Sequence, residues 1–158
     1  MKLIIIIIIS IILLLYAICY YIFPSEITIL QTNVNDFNFS NLSKRQPIVI
    51  SDFIQDPLKI IDSWFNYNFK TKLDNDSNDQ WIHNNYKYLF INAKEDTEVI
   101  IYNAKRSKEP PISSDKIIII KLKKYQSLIL PFKWKYNANN IYIWGIDDLI
   151  TSSFGKFF

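Results

Sequence analysis

The chain is poor in three residue types on which many active sites depend: it has two glycines, one cysteine and one histidine. Gly145 and Gly155 cannot form a phosphate-binding loop, because such a loop needs several closely spaced glycines. Cys19 has no second cysteine with which to form an intrachain disulfide, so its expected roles are palmitoylation or apolar packing. His83 is a lone histidine, which is more often structural than a metal ligand. We therefore predict no catalytic residues, no metal site and no cofactor.

One stretch imitates the start of a calcium-binding loop. Asp74, Asp76 and Asn78 have the spacing of the first three ligands. The sixth position of such a loop requires glycine and the twelfth requires glutamate, but Asp79 and Asn85 stand there. The stretch is therefore interpreted as a polar surface loop.

An apolar run from Leu3 to Phe23 opens the chain, interrupted by the small hydroxyl of Ser10. About twenty apolar residues at about 1.5 Å each match the hydrocarbon core of a bilayer. The run predicts a retained transmembrane helix. The alternative is a cleaved signal peptide, for which Ala17-Ile18-Cys19 offers a poor cleavage site.

The charges beside this run predict its orientation. Lys2 precedes it, and the next basic residues are the distant Lys44 and Arg45. The positive-inside rule then places the N-terminus in the cytoplasm. The C-terminal domain is expected in the lumen, outside the cell or on the equivalent side of a viral membrane. Three sequons are compatible with glycosylation there: Asn38, Asn41 and Asn75.

The remaining chain is predicted to consist of a linker over residues 24–43, with at most one short strand, and one domain over residues 44–158. Pro47–Phe53 is β-branched and predicts the first core strand. Asp56 and Pro57 predict the cap and first turn of a helix that ends near Phe69. Lys70–Gln80 is polar and predicts a surface loop.

Beyond this loop, short β-rich runs alternate with turn residues. Such spacing without intervening helices predicts an antiparallel sandwich or barrel. A helical turn is predicted at the start of Asp147–Phe158. The predicted strands are Gln80–His83, Tyr86–Asn92, Thr97–Asn103, Asp115–Leu122, Ser127–Pro131 and Asn139–Ile146.

Two segments carry a resemblance to a known family. Lys44–Ile54, followed by Asp56-Pro57-Leu58 and Trp64, resembles the opening of cupin-like domains of the Jumonji type. Lys123–Trp134 is similar to the strand, proline and aromatic turn that precede the last metal ligand of such barrels. The resemblance covers roughly Arg45 to Trp144. It implies a mainly β fold, an antiparallel double-stranded β-helix or jelly roll with one short helix.

Active members of this family hold iron with a His-x-Asp/Glu pair and a second histidine. In this chain His83 is followed by Asn84 and Asn85, and the aromatic turn offers Trp134 and Tyr136. The usual metal ligands are therefore missing, and the resemblance implies a degenerate, non-enzymatic domain. The alternative is a divergent oxygenase or a small hydrolase with an unrecognised site.

Basic and aromatic residues alternate in the second half of the chain and predict a binding surface for another protein, an acidic glycan or an anionic lipid. Nucleic acid is not expected. The competing interpretation is that Lys121 and Lys123 are the solvent-facing residues of a half-buried strand. The residues of the predicted surface are Lys121, Lys123, Lys133, Trp134 and Lys135.

The sequence as a whole predicts a single-pass membrane-anchored interaction or structural protein that is not an enzyme. Its bias toward Ile, Asn, Lys, Tyr and Phe is typical of an AT-rich genome. With the small size and the predicted anchor, this composition resembles membrane proteins of large DNA viruses. A role in the viral membrane or virion is therefore expected.

Overall fold

A computed structural model describes residues 2–21, 28–74, 81–103, 111–113 and 115–154. Its elements follow in the order α1 (Lys2–Tyr21), β1 (Leu30–Thr32), α2 (Phe39–Ser43), β2 (Ile48–Ile50), α3 (Pro57–Trp64), β3 (Phe69–Leu73), β4 (Ile82–His83), β5 (Tyr88–Ala93), β6 (Thr97–Asn103), β7 (Ile117–Leu122), β8 (Ser127–Pro131), β9 (Trp134–Ala138), β10 (Ile141–Asp147) and α4 (Leu149–Phe154). The predicted mainly β class is confirmed.

The ten strands of the described residues form two sheets. One has six strands in the order β1-β2-β8-β5-β10-β3, and the other has four in the order β4-β9-β6-β7. β1 and β2 are parallel, whereas the other pairs, such as β5 with β10 and β6 with β7, are antiparallel. Pairs such as β5 with β10 and β5 with β8 join strands that are distant in the chain, so the fold depends on non-local contacts.

The predicted membrane span Leu3–Phe23 is not supported. Within the described part of the chain, no helix is both long and apolar enough to cross a membrane. The prediction of a single-pass protein with a cytoplasmic N-terminus and a luminal or extracellular domain is therefore wrong.

The space between the two sheets is filled by a first apolar core. Both sheets contribute inward-facing residues of alternating strand positions. Trp134 on β9 is fully buried, and Tyr136 is 2% exposed. The other buried members are Leu89, Ile91, Ala93, Val99, Ile101, Ile120, Leu122, Leu128, Leu130, Ala138, Ile141 and Ile143.

A second apolar core lies on the outer face of the six-stranded sheet. Ile61 and Phe65, from α3 and its C-terminal cap, pack there with Phe90 and Trp144. Leu42 of α2 also belongs to this core. Residues 28–43, predicted as linker, thus include β1 and α2 and contribute to the packing of the domain.

The helix prediction was right at its start and wrong at its end. α3 begins at Pro57, but the side chain of Asp56 makes no capping hydrogen bond. It ends at Trp64, and Phe69 instead begins β3. β3 was predicted largely as loop because its polar side chains show no apolar alternation. It is a strand because its backbone pairs with β10 at the sheet edge.

Other predicted strands agree closely with the structure. Thr97–Asn103 and Ser127–Pro131 are confirmed at both ends, and the strand predicted from Asp115 begins at Ile117. β9 was missed, because its sequence was interpreted as a turn. The sequon at Asn75, the calcium-like residues after Asp74, and residues 155–158 lie outside the described residues.

Candidate binding pocket

The candidate site lies at one end of the first core, where Tyr86 packs against β10. The side chains of Ile141 and Ile143 face this core, so the alternation of the strand directs Gly145 and Asp147 to the same side. A Cβ atom added at Gly145 would lie 2.5 Å from Cε1 and 2.6 Å from Cγ of Tyr86. The absence of a side chain at Gly145 therefore makes room for the tyrosine ring.

Asn84 fixes the backbone that carries Tyr86. Its side chain is buried, and Nδ2 donates hydrogen bonds to the carbonyl oxygens of Leu130 at 3.0 Å and Pro131 at 2.8 Å. Its Oδ1 accepts a hydrogen bond from the backbone N–H of Tyr86 at 2.9 Å. A buried amide with three satisfied bonds holds one geometry, because breaking any of them leaves a polar atom without a partner.

A pocket of about 390 Å³ opens beside this tyrosine. It is lined by Asn85, Tyr86, Asp147, Thr151 and Ser152. The chain segment before β5, the end of β10 and helix α4 therefore meet around one cavity. Its wall combines an aromatic ring, a carboxyl, an amide and two hydroxyls.

Asp147 is the charged group of this wall. Its Oδ1 accepts a hydrogen bond from the backbone N–H of Lys87 at 2.7 Å, whereas Oδ2 has no hydrogen-bond partner among the described residues. Burial raises the pKa of Asp147, and the neighbouring carboxylate of Asp148 adds to the rise. The N–H and the charge of Lys87 oppose it.

Asp148 has a different role from its neighbour. Its Oδ2 contacts the Nζ of Lys87 at 2.6 Å in a half-buried ion pair. Its Oδ1 accepts a hydrogen bond from the backbone N–H of Thr151 at 2.7 Å, which caps the start of α4. Asp148 is therefore paired with Lys87, whereas Asp147 supplies the negative charge in the wall of the pocket.

The pKa values of Tyr86, in the wall of the pocket, and of Tyr136, in the first core, are both raised. Burial, and then the charge of Asp147, raises the pKa of Tyr86. Burial, with a smaller contribution from Tyr86, raises the pKa of Tyr136 to about 12. At neutral pH the Tyr86 hydroxyl is thus available both to donate and to accept a hydrogen bond.

His83, the lone histidine of the sequence, lies on β4 beside Asn85. Its Nδ1 lies 2.7 Å from Oδ1 of Asn85, and its strand position pairs with Lys135. No group of three or more His, Cys, Asp or Glu side chains within the described ranges could hold a metal ion.

The predicted basic surface is divided by the fold. Trp134 and Lys135 are buried, with 0% and 1% exposure, and the Lys135 Nζ lies 5.7 Å from the ring centroid of Tyr102. Lys121 is exposed and contacts Glu98 at 3.4 Å, and Lys123 is also exposed. The alternation predicted for β7 is confirmed. Recognition of another protein, an acidic glycan or an anionic lipid stays a prediction.

The pocket was missed by the sequence analysis, because its residues meet only through the pairing of β5 with β10. Lys87 and Asp147 are 60 positions apart in the chain. The signals that could have indicated it are the isolated Gly145 and the Asp147-Asp148 pair before a helical turn. Comparisons with known protein families, curated proteins and solved structures found no match to this chain.

Proposed function

We propose that β3–β10 form a double-stranded β-helix, the jelly roll that the cupin-like resemblance implies. The support is the order in which these eight strands pair: β3 with β10, β4 with β9, β5 with β8 and β6 with β7. In this order the first of the eight strands pairs with the last, the second with the seventh, the third with the sixth and the fourth with the fifth. Such pairing is that of one long β-hairpin folded into two sheets. β1 and β2 extend the six-stranded sheet beside β8.

We infer that this domain is a non-catalytic binding domain and that its pocket captures a primary ammonium group of a partner. The observation that carries the proposal is the half-buried Asp147 carboxylate, whose Oδ2 has no hydrogen-bond partner among the described residues. A packed apolar core fills the space between the sheets, where barrels of this kind hold ligands. The polar pocket at its end is therefore the better candidate.

An ammonium group matches the acceptors that line the pocket. It carries three donors and one positive charge. Asp147 Oδ2 supplies the opposite charge, and the Tyr86 hydroxyl supplies a second acceptor. Ser152 Oγ donates a hydrogen bond to the carbonyl oxygen of Leu149. The lone pairs of Ser152 Oγ therefore remain available as a third acceptor for the ammonium group. A volume of about 390 Å³ accommodates the alkyl stem of a lysine side chain as well.

The raised pKa values of Asp147 and Tyr86 favour a second candidate, a small hydrolase, because a carboxyl with a raised pKa can act as a general acid.

For the oxygenase alternative, metal analysis of the purified chain is decisive. We expect no stoichiometric iron, and one tightly bound iron per chain would support the oxygenase. A role in a virus particle stays a prediction that rests on composition.

Nuclear magnetic resonance titration with n-butylammonium tests the binding proposal. For five non-hydrogen atoms we expect a Kd of roughly 1 mM, or about −4 kcal/mol. The backbone amides of Lys87 and Thr151 should shift and saturate. n-Butanol, which has the same length without the charge, should not shift them. Asp147→Asn keeps the acceptor for Lys87 and should lose the binding. Equal binding by this variant would exclude the pocket carboxylate as the recognition group.

A further inference from the structure

The free edge of the four-stranded sheet is β7. The strand pairs with β6 on one side, and among the described residues no strand pairs with its other side. Ile117 and Ile119 on its outer face are 49% and 57% exposed. An edge strand with β-branched side chains and an open row of backbone groups is a template for pairing with another strand.

Charges at the two ends of β7 indicate which strand would fit. Asp115 precedes the strand and Lys123 follows it, and neither makes an ion pair within the described residues. Lys121, in contrast, already contacts Glu98. Because one end of β7 is acidic and the other is basic, each end faces the opposite charge when a second copy of β7 runs antiparallel to the first.

We propose that two copies of the chain associate through β7 in an antiparallel, two-fold symmetric pair centred on Ile119. In this register Ile119 lies opposite Ile119 of the second copy. Asp115 lies opposite Lys123 of the second copy, and symmetry repeats this pair at the other end. In a parallel pairing Lys121 and Lys123 would each face themselves, which like-charge repulsion disfavours. The two four-stranded sheets become one continuous eight-stranded sheet.

Disulfide cross-linking of the full chain tests this register. In a background with Cys19→Ser, the variant Ile119→Cys places two thiols directly opposite, within the Cα separation that a disulfide spans. Lys121→Cys is the matched control, because its two copies lie about 13 Å apart along the paired strands. Both positions are exposed, so neither change disturbs the core.

Under mild oxidation we expect Ile119→Cys to form at least about ten times more covalent dimer than Lys121→Cys. Asp115→Lys should reduce this cross-linking, and Asp115→Lys with Lys123→Asp should restore it. The proposal is overturned if neither cysteine forms a dimer or if both form it equally. It is also overturned if Asp115→Lys with Lys123→Asp does not restore the cross-linking that Asp115→Lys alone reduces. Thermal unfolding of each variant verifies that the domain remains folded.

Discussion

Replacing Gly145 by alanine should displace Tyr86 from the end of the first apolar core. The new methyl group would lie 2.5 Å from Cε1 of the ring, well inside van der Waals contact. Gly145 does not have a positive φ, so alanine can adopt its backbone conformation without strain. The effect of the substitution is therefore the clash itself. Overpacking of this kind costs about 1–3 kcal/mol of unfolding free energy.

A double-mutant cycle separates this clash from other effects. In a Tyr86→Ala background the space above Gly145 is open, and Gly145→Ala should be neutral or stabilising by about 0.5 kcal/mol, because alanine loses less backbone entropy than glycine. The two backgrounds should then differ by about 2 kcal/mol. Urea unfolding of the four proteins measures this coupling. An identical effect of Gly145→Ala in both backgrounds would refute the packing of Tyr86 on Gly145.

Two further substitutions test the core. Ile120→Lys places a charge at a position that is 6% exposed and should cost about 3 kcal/mol or more, whereas Lys121→Glu on the opposite face should cost about 0.5 kcal/mol; equal losses in thermal unfolding would contradict the alternation of β7. The pKa of Tyr136 is raised from 10.0 to about 12, so the stability contributed by its neutral hydroxyl is complete below pH 10 and is lost as pH rises toward 12. Tyr136→Phe should therefore lose less stability than the unmodified chain over this interval, and parallel losses would show that Tyr136 is not the group responsible.

The strands that could be predicted from the sequence are those with an apolar signal of their own. Thr97–Asn103 and Ser127–Pro131 are rich in β-branched or aliphatic residues. Burial of such residues stabilises a strand whichever neighbouring strand it pairs with. β3 has no such signal, because it is an edge strand held by backbone pairing with β10. β9 was missed because Trp134 and Tyr136 were interpreted as part of an aromatic turn, whereas the fold buries both, together with Lys135 beside Tyr102.

The pocket depends on long-range pairing and could not be predicted from local pattern. Tyr86 and Asp147 become neighbours because Tyr88 pairs with Ile146 across β5 and β10. The raised pKa of Asp147 results from this burial, which composition does not reveal. The prediction that the chain is not an enzyme rests on an inventory of residue types, whereas the position of the Asp147 carboxyl in a pocket is visible only from the three-dimensional register.

Titration of Asp147 itself tests the proposal that this carboxylate recognises an ammonium ion. The pKa of the Asp147 carboxyl, measured by carbon NMR of the side chain, should lie above the ordinary value in the free protein. A cation bound beside a carboxylate favours its ionised form, so saturation with n-butylammonium should lower this pKa. Saturation with n-butanol should leave it unchanged. A pKa that does not move with n-butylammonium would contradict the proposed site.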